Sequence, residues 1–389
     1  MTRTEEAAGP SPVKILFEGT HRSRTPEETW RWIEPKLPRL GITRVAEVTW
    51  LDEIGIPVFQ AIRPNSRTLS VSQGKGISNA LARVSAAMEA VELWHAENPL
   101  PAAARMSTVE EMERVVGYRV GELALAKRNH LNPDALLPWR TAHLIGGGES
   151  AVPADLLRLD YRVDGHWAPP LFRASSNGLA SGNTLDEALL HGMYEVVERD
   201  SMARAARGGP PPLVDPGTVG DTGLAELLDR YRATKVHVQM RFLENPFRIP
   251  AFDARIWSDA FPTTFGGAGA HLDASVALSR ALTEAAQSRA TAIAGARDDI
   301  GHAPYREARV FGVRRSSDSP PFAGQDDSTV PFDAIESTRV PALDEEVRIV
   351  AERIEGVTGR VPVYVDLTQP EIGIPVAHVV CPGTSLHDF

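Results

Sequence analysis

The sequence predicts an α+β fold, because three long helical segments alternate with short strand-like segments and no linker clearly divides the chain. Of its 389 residues, 42% are hydrophobic and 24% are charged, a balance typical of a globular protein with a buried core. The helical segments run from Ser78 to Glu97, from Thr184 to Arg207 and from Asp273 to Gly295. β-branched runs bounded by Gly and Pro lie between and after them, as expected for strands.

The order of elements along the chain suggests how it is organised. The first 13 residues are charged and contain proline, and they are predicted to be a disordered tail. Thr25 and Glu28 can form a capping box for a short helix with Pro26 in its first turn. We expect a lead-in over residues 14–60 and a main domain over residues 61–389.

Composition excludes several classes of protein. The net charge is -10 and the basic residues are scattered, so a nucleic-acid-binding face is not expected. The single cysteine, Cys381, rules out a disulfide within the chain and a thiolate-rich zinc site. No apolar run reaches the roughly 20 residues of a membrane helix, and the N-terminus has no apolar signal-peptide core. These features predict a cytoplasmic protein without a membrane partner.

Two of the long helices repeat the same pattern of glutamates. Gly76 is followed after twelve residues by Glu89 and Glu92, and a second glycine, Gly182, is followed with identical spacing by Glu195 and Glu198. The third helix carries the related pair Glu284 and Gln287, but without the glycine spacing. Residues three or four apart share one face of a helix, so each pair forms a polar stripe.

The neighbours of these glutamates are mostly apolar, so the carboxylates are predicted to be partly buried. Buried carboxylates must be paired, protonated or bound to a cation. One interpretation is a magnesium site that also holds a polyphosphate. The other is that the glutamates pair with the arginines Arg83, Arg199 or Arg204, since such pairs are common on helices.

Common nucleotide and hydrolase motifs do not explain this chain. A P-loop is absent, and so are G-x-G-x-x-G after a strand, H-E-x-x-H and G-x-S-x-G. The segment from Gly74 to Gly76 reads G-K-G, which lacks the P-loop spacing.

Four blocks taken together strongly resemble the YcaO family: S-V-S-Q-G-K-G-I-S, S-x-x-x-E-x-x-E at Ser85 to Glu92, S-N-G-L-A-S-G-N-T, and E-x-x-E-R-D at Glu195 to Asp200. The block G-A-H-L-D-x-x-x-A-L-x-R-A-L-T-E-A-A-Q-S-R and the closing I-P-V-x-x-V-x-x-P-G also fit the family. The resemblance implies a YcaO-type fold whose residues 61–389 form an ATP-binding catalytic domain, with the two glutamate helices as an internal pseudo-repeat.

The resemblance further implies an ATP site without a P-loop, in which Mg²⁺ is held by Glu89, Glu92, Glu195 and Glu198. The residues carried over to the ATP site are Lys75, Ser85, Glu89, Glu92, Asn183, Glu195, Glu198, Arg199, Arg280, Glu284, Gln287 and Arg289.

Two of these assignments stay open at the level of sequence. Lys75 can contact phosphate or stabilise the turn that contains it. Helical geometry places Arg280, Glu284 and Gln287 on one face and Arg289 nearly opposite, which favours Arg280 as the arginine that reaches the nucleotide. Both arginines nevertheless belong to the family motif.

YcaO enzymes activate a backbone amide of a peptide by phosphorylating its oxygen, and branches of the family differ in the nucleophile that follows. The stretches H-R-x-x-x-P-E-E-T, G-I-T-R-V-A-E-V-T and I-R-P-N-S-R-T-L-S-V-S-Q-G-K-G are similar to the subgroup that forms thioamides with a TfuA partner. The chain ends in PGTSLHDF, which departs from the P-x-P-x-P tail common among azoline-forming members.

The resemblance therefore implies a precursor peptide as substrate, a TfuA-like protein that delivers sulfur, and a homodimer. The alternatives are a cyclodehydratase that forms an azoline or a macrocyclic amidine, and a non-catalytic ATP-binding scaffold. Cys381 could carry sulfur, but a lone cysteine in an apolar run is more often simply buried.

Overall fold

The computed structural model describes residues 14–17, 19–99, 105–162, 170–297, 299–301, 305, 322 and 328–385. Helices and several sheets are interleaved along the chain, and the predicted α+β class is confirmed. The predicted tail over residues 1–13 lies outside the described residues.

Seven α-helices lie in the described part of the chain. They are α1 (Pro26–Ile33), α2 (Asn79–Glu97), α3 (Val109–Glu113), α4 (Leu185–Arg207), α5 (Thr222–Ala233), α6 (Ala274–Ala294) and α7 (Leu343–Thr358). The three long predicted helices correspond to α2, α4 and α6, each within one residue of the expected bounds at both ends.

The strands form one hairpin and three sheets. The hairpin pairs β1 (Ile15–Phe17) with β2 (Thr20–Arg22). A three-stranded antiparallel sheet has the order β3 (Arg44–Glu47), β4 (Val58–Ile62), β5 (Val71–Lys75). This sheet spans residue 60, and the division of the chain at that point stays a prediction.

The two larger sheets contain the remaining strands. One has the order β6 (Arg105–Thr108), β7 (Leu136–Leu144), β15 (Val363–Asp366), β16 (Val376–Val380), β9 (Leu179–Ser181), with β8 (Glu149–Pro153) paired to β7. The other has the order β13 (Phe261–Ala270), β12 (Ala251–Ser258), β11 (His237–Phe242), β10 (Leu213–Asp215), β14 (Thr329–Pro331). In the second sheet β10 and β14 are parallel, and the other pairs are antiparallel.

Side-chain caps fix where the helices begin. Thr25 and Glu28 form the predicted capping box of α1. Ser78 accepts a hydrogen bond from the backbone of Leu81 at the start of α2. Thr184 caps α4 in the same way, and the segment T-L-D-E that begins there predicts a capping box, but this box is incomplete. The carboxylate of Glu187 instead accepts from the backbone of Asn183, one residue before the cap.

Each of the three long helices packs on strands: α2 on β4 and β5, α4 on β9 and β16, and α6 on β12 and β13. Glycines let two of these helices approach their strands very closely. A Cβ atom on Gly74 of β5 or Gly267 of β13 would lie between 2.0 and 2.4 Å from backbone atoms of the facing helix, which belong to Ala82 and Ala86 in α2 and to Ala281 and Ala285 in α6. Any side chain at either glycine would push the helix outward.

Among the described residues, no helix combines the length and the apolar composition that crossing a lipid bilayer requires.

Candidate functional site

The three long helices each contribute side chains to one cleft with a volume of about 540 Å³. This volume lies in the range of small-molecule and cofactor sites. The hairpin β1–β2 and strand β5 line the cleft as well. Eleven of the twelve predicted ATP-site residues line it, namely Lys75, Ser85, Glu89, Glu92, Asn183, Glu195, Glu198, Arg199, Arg280, Glu284 and Gln287.

The two carboxylates of α2 are held by backbone and hydroxyl donors. Glu89 accepts a hydrogen bond of 3.3 Å from the backbone N–H of Gln73. Glu92 accepts from both the backbone N–H and the hydroxyl of Ser181, at 2.8 and 2.7 Å. Burial outweighs these bonds, and it raises the pKa of Glu89 to about 7 and that of Glu92 to about 8.

The carboxylates of α4 share one arginine. Arg199 lies 3.9 Å from Glu195 and 3.8 Å from Glu198, and Glu195 also accepts from the backbone N–H of Gly178 at 3.2 Å. Burial raises the pKa of Glu195 to about 7, and it also raises the pKa of Glu198. Both distances to Arg199 are too long for direct hydrogen bonds, so the arginine only partly compensates these buried charges.

The predicted repeat of α2 in α4 is structural. A Cβ atom on Gly76 would meet Leu81 and Ala82, and a Cβ atom on Gly182 would meet the equivalent residues Glu187 and Ala188. The glutamates of α4 therefore hold the same positions on their helix as the glutamates of α2 do on theirs.

The residues of α6 correspond to those of α2 in a different register from the one that the sequence suggested. The close contacts of Gly74 and Gly267 match α6 to α2 residue by residue. In this match Glu284 holds the position of Ser85, and Gln287 holds the position of Met88. The pair Glu284 and Gln287 is therefore not equivalent to the Glu-x-x-Glu pairs, although it reaches the same cleft.

Lys75 forms an ion pair with Glu284 across the junction of β5 and α6. Burial alone would raise the pKa of Glu284, but the charges of Lys75 and Arg199 outweigh it and hold this pKa below its ordinary value. Lys75 also lines the cleft, and its contact with phosphate stays a prediction.

Arg289 is the one predicted residue that the structure places elsewhere. Its side chain is 3% exposed and donates to Asp52 at 3.0 and 3.1 Å and to Ser258 at 2.8 Å, on the side of α6 that faces away from the cleft. Arg280 lines the cleft instead. Of the two arginines in the motif, one thus faces the candidate site and the other fastens α6 to the 49–54 turn.

The alternative that arginines neutralise the helix glutamates holds only for Arg199. Arg83 lies 3.6 Å from Glu34 at the surface, and Arg204 pairs with Asp200.

Sequence reasoning missed several cleft residues. The N-terminal segment contributes Arg22, Arg24 and Thr29, and α4 contributes Glu187 and His191. Arg22 lies in the stretch H-R-x-x-x-P-E-E-T, which carried only the comparison with a subgroup. Because this segment is far in sequence from the glutamate helices, only the folded chain shows that it reaches them.

The donor set fits Mg²⁺ together with a polyphosphate. Buried carboxylates whose pKa is raised lack sufficient positive charge nearby, and a divalent cation would supply it. No group of three or more His, Cys, Asp or Glu side chains among the described residues forms a ready-made metal site. Mg²⁺ is usually held by one or two carboxylates and takes its other ligands from phosphate and water. Arg199, Arg280 and Lys75 provide positive charge for phosphate.

Mg·ATP binding is expected to strengthen as the pH rises from about 6 to about 8.5, because Mg²⁺ needs ionised carboxylates. The pKa values of Glu89, Glu92 and Glu195 are raised from 4.5 to about 7, 8 and 7. The ligand-free fold therefore keeps protons that the unfolded chain has lost, and its stability falls as the pH rises from about 4.5 to about 8. Titration calorimetry in buffers of different ionisation enthalpy measures the protons released on binding. Binding that is independent of pH and releases no protons would contradict this prediction.

Comparison with known proteins shows which family this chain resembles. Residues 73–385 match the family model of the YcaO cyclodehydratase, described as ATP- and Mg²⁺-binding. The structure of YcaO from Methanopyrus kandleri, bound with AMPPCP and Mg²⁺, has a TM-score of 0.74 and 25% sequence identity, and the match covers 96% of this chain and 95% of that one. The predicted cofactors ATP and Mg²⁺ and the predicted YcaO-type fold are confirmed.

Two relatives by sequence extend over nearly the whole chain. The uncharacterized protein Rv1375 of Mycobacterium tuberculosis is 38% identical over 374 residues, which cover 95% of this chain and 83% of the relative. An uncharacterized protein in the tfuA 3' region of Rhizobium leguminosarum bv. trifolii is 37% identical over 379 residues, which cover 93% of this chain and 88% of the relative.

Proposed function

Because this chain belongs to the YcaO family, we propose that it uses ATP and Mg²⁺ to activate a backbone amide of a peptide for conversion to a thioamide. The observation that carries this proposal is the cleft, which is lined by four buried or half-buried carboxylates from two equivalent helices and by six cationic side chains, Arg22, Arg24, Lys75, Arg199, Arg280 and Arg297. In this proposal residues 61–389 form a cytoplasmic catalytic domain, and the lead-in over residues 14–60 contributes Arg22 and Thr29 to its cleft.

The proposed reaction exchanges one oxygen for sulfur. ATP supplies a phosphoryl group that turns the poorly reactive amide oxygen into a leaving group. Sulfide forms a bond to the amide carbon, and the carbon–oxygen bond breaks as phosphate departs. The balance is amide, ATP and hydrogen sulfide in, and thioamide, ADP and phosphate out.

The side chains of the cleft match the demands of this chemistry, which are positioning and neutralisation of phosphoryl charge. We assign Mg²⁺ binding to Glu89, Glu92, Glu195 and Glu198. Arg199, Arg280 and Lys75 would face the phosphates, with Lys75 oriented by Glu284. The remaining predicted contacts to the nucleotide are Ser85, Asn183, Glu284 and Gln287.

We propose sulfur delivery by a TfuA-like partner protein. This part of the proposal is supported by the relative in the tfuA 3' region, which is 37% identical to this chain over 379 residues. Cys381 is a poor candidate for a sulfur carrier, because it is only 5% exposed and burial raises the pKa of its thiol. A homodimer is proposed as the assembly.

The test is to co-express the chain with a TfuA-like protein and a candidate precursor peptide, and to measure the intact mass of the peptide. We expect a mass gain equal to the exchange of one oxygen for sulfur, and no change with Glu89→Gln. Glu226→Gln, which alters an exposed glutamate on α5, serves as the matched control and should preserve the product.

A cyclodehydratase is the second candidate, and the description of the family model favours it. The same experiment distinguishes the two functions, because an azoline or amidine forms with loss of one water and needs no sulfur donor. ATP turnover that stays at background with every peptide and partner would instead support a non-catalytic scaffold.

A further inference from the structure

A buried polar cluster lies behind the hairpin β1–β2, outside the lining of the cleft. Its centre is Glu346 of α7, whose side chain is 1% exposed. One oxygen of this carboxylate pairs with the ammonium group of Lys14, which is also 1% exposed. The other oxygen accepts from the hydroxyl of Tyr194 and lies 3.5 Å from Nε2 of His271. One oxygen of Glu346 therefore faces a cation and the other a hydroxyl donor.

This ion pair fastens the beginning of the hairpin. The backbone N–H of Lys14 donates to the carbonyl of Pro341 at 3.1 Å, so main chain and side chain are both tied to the region before and within α7. Burial and the nearby charge of Arg22 lower the pKa of Lys14 to about 8. A buried ammonium group depends on its partner, and removing only one member of such a pair leaves an uncompensated charge.

The end of the hairpin is held by the same cluster. His21 lies 3.8 Å from a carboxylate oxygen of Asp273, and its ring contacts the ring of His271 edge-on at 5.2 Å. The ring of His271 in turn lies 4.6 Å from that of Tyr194. The two ends of β1–β2 are thus anchored to α4, to α7 and to the start of α6.

The residues that follow His21 enter the cleft. Arg22 lines it directly. The backbone of Ser23 donates to Glu187, whose other oxygen accepts from the backbone and side chain of Asn183 at 2.8 and 3.0 Å. Asn183 also accepts from the hydroxyl of Thr29 at 2.8 Å. The position of the hairpin therefore determines the position of Arg22 and supports Asn183.

Glu346 is also linked to α4 through Tyr194. Tyr194, which donates to it, directly precedes Glu195 on α4. One buried carboxylate thus joins the hairpin that carries Arg22 to the helix that carries Glu195 and Glu198. Glu346 itself is not among the residues that line the cleft, so its effect on a ligand there is indirect.

We propose that Glu346 is a positioning residue for the Mg·ATP site, which it shapes by holding the hairpin through Lys14 and α4 through Tyr194. This inference rests on the proposed function only in taking the cleft as the nucleotide site. If Glu346 has this role, the N-terminal segment, which precedes the residues matched by the family model, contributes to nucleotide binding at that site.

The test compares Glu346→Gln with Glu352→Gln, the same substitution in an exposed ion pair with Arg348 on the same helix. Glutamine still accepts from Tyr194 but removes the carboxylate that pairs directly with the buried Lys14 ammonium group, so the hairpin is expected to detach. Trypsin should then cleave after Arg22 or Arg24 about tenfold faster than in the parent, without nucleotide present. The Kd for Mg·ATP, measured by calorimetry, should rise about tenfold. Glu352→Gln should change neither quantity.

A second variant keeps the test decisive if Glu346→Gln folds poorly. In Lys14→Met/Glu346→Gln neither charge of the ion pair remains, and the apolar methionine can occupy the site of the lysine stem. Cleavage rate and Kd are expected to return to within about threefold of the parent values. If Glu346→Gln lowers the melting temperature but leaves cleavage and Kd unchanged, Glu346 is purely structural and the inference is wrong. If the parent chain itself does not bind Mg·ATP, the proposed function fails as well.

Discussion

Glu89→Gln is expected to lower ATP turnover by a factor of at least about 100, because it removes a carboxylate from the centre of the proposed Mg²⁺ site. Glutamine has the same shape and still accepts the hydrogen bond from the backbone of Gln73. The fold should therefore persist. Burial raises the pKa of Glu89 to about 7, so its ionisation weakens the ligand-free fold at higher pH. At about pH 8 the variant should be at least as stable as the parent.

The measurement pairs ATP turnover with thermal unfolding of the ligand-free protein. Glu195→Gln holds the equivalent position on α4 and should behave in the same way, since burial raises its pKa to a similar value. Glu226→Gln is the exposed control. Turnover retained in both cleft variants would refute the proposed Mg²⁺ site. Turnover lost together with the fold would show that the carboxylates are structural.

The sequence predicted the site residues of α2 and α4 well, because both helices carry the same spacing of a glycine and two glutamates. The spacing from Gly76 to Glu89 and Glu92 recurs from Gly182 to Glu195 and Glu198, and a Cβ atom on either glycine would meet the same two positions of its helix. Apolar neighbours indicated burial of these glutamates, and Glu198 is only 4% exposed. A local pattern was therefore sufficient for α2 and α4, because their geometry follows from helical periodicity alone.

The third helix shows where this reasoning stops. The loop between Gly269 and α6 differs in length, so spacing from the glycine gave no register, and Glu284 was matched to the wrong type of position. Contacts between segments that are distant in the sequence could not be predicted either. The arrival of Arg22 in the cleft and the pairing of Lys75 with Glu284 depend on how separate elements dock.

The two arginines of α6 should show opposite consequences when each is replaced by methionine. Arg289→Met is expected to lower the free energy of unfolding by about 3–5 kcal/mol, because it leaves the buried carboxylate of Asp52 without its partner. Mg·ATP affinity of the folded fraction should stay near the parent value. Arg280→Met should instead weaken Mg·ATP binding by about 100-fold, since it removes a cation from the cleft. Chemical denaturation and calorimetry measure the two effects.

This contrast tests the direction in which α6 faces, since both arginines belong to the same sequence block. Removal of Arg280 should change the stability of the ligand-free fold less than removal of Arg289, because Arg280 is attracted by Glu195, Glu198 and Glu284 but is also repelled by Arg22. The double variant Asp52→Asn/Arg289→Met removes both buried charges and should recover part of the lost stability. A large loss of affinity in Arg289→Met with normal stability would mean that Arg289 reaches the nucleotide. In that case α6 would have to rotate on β13, which the close contact at Gly267 opposes.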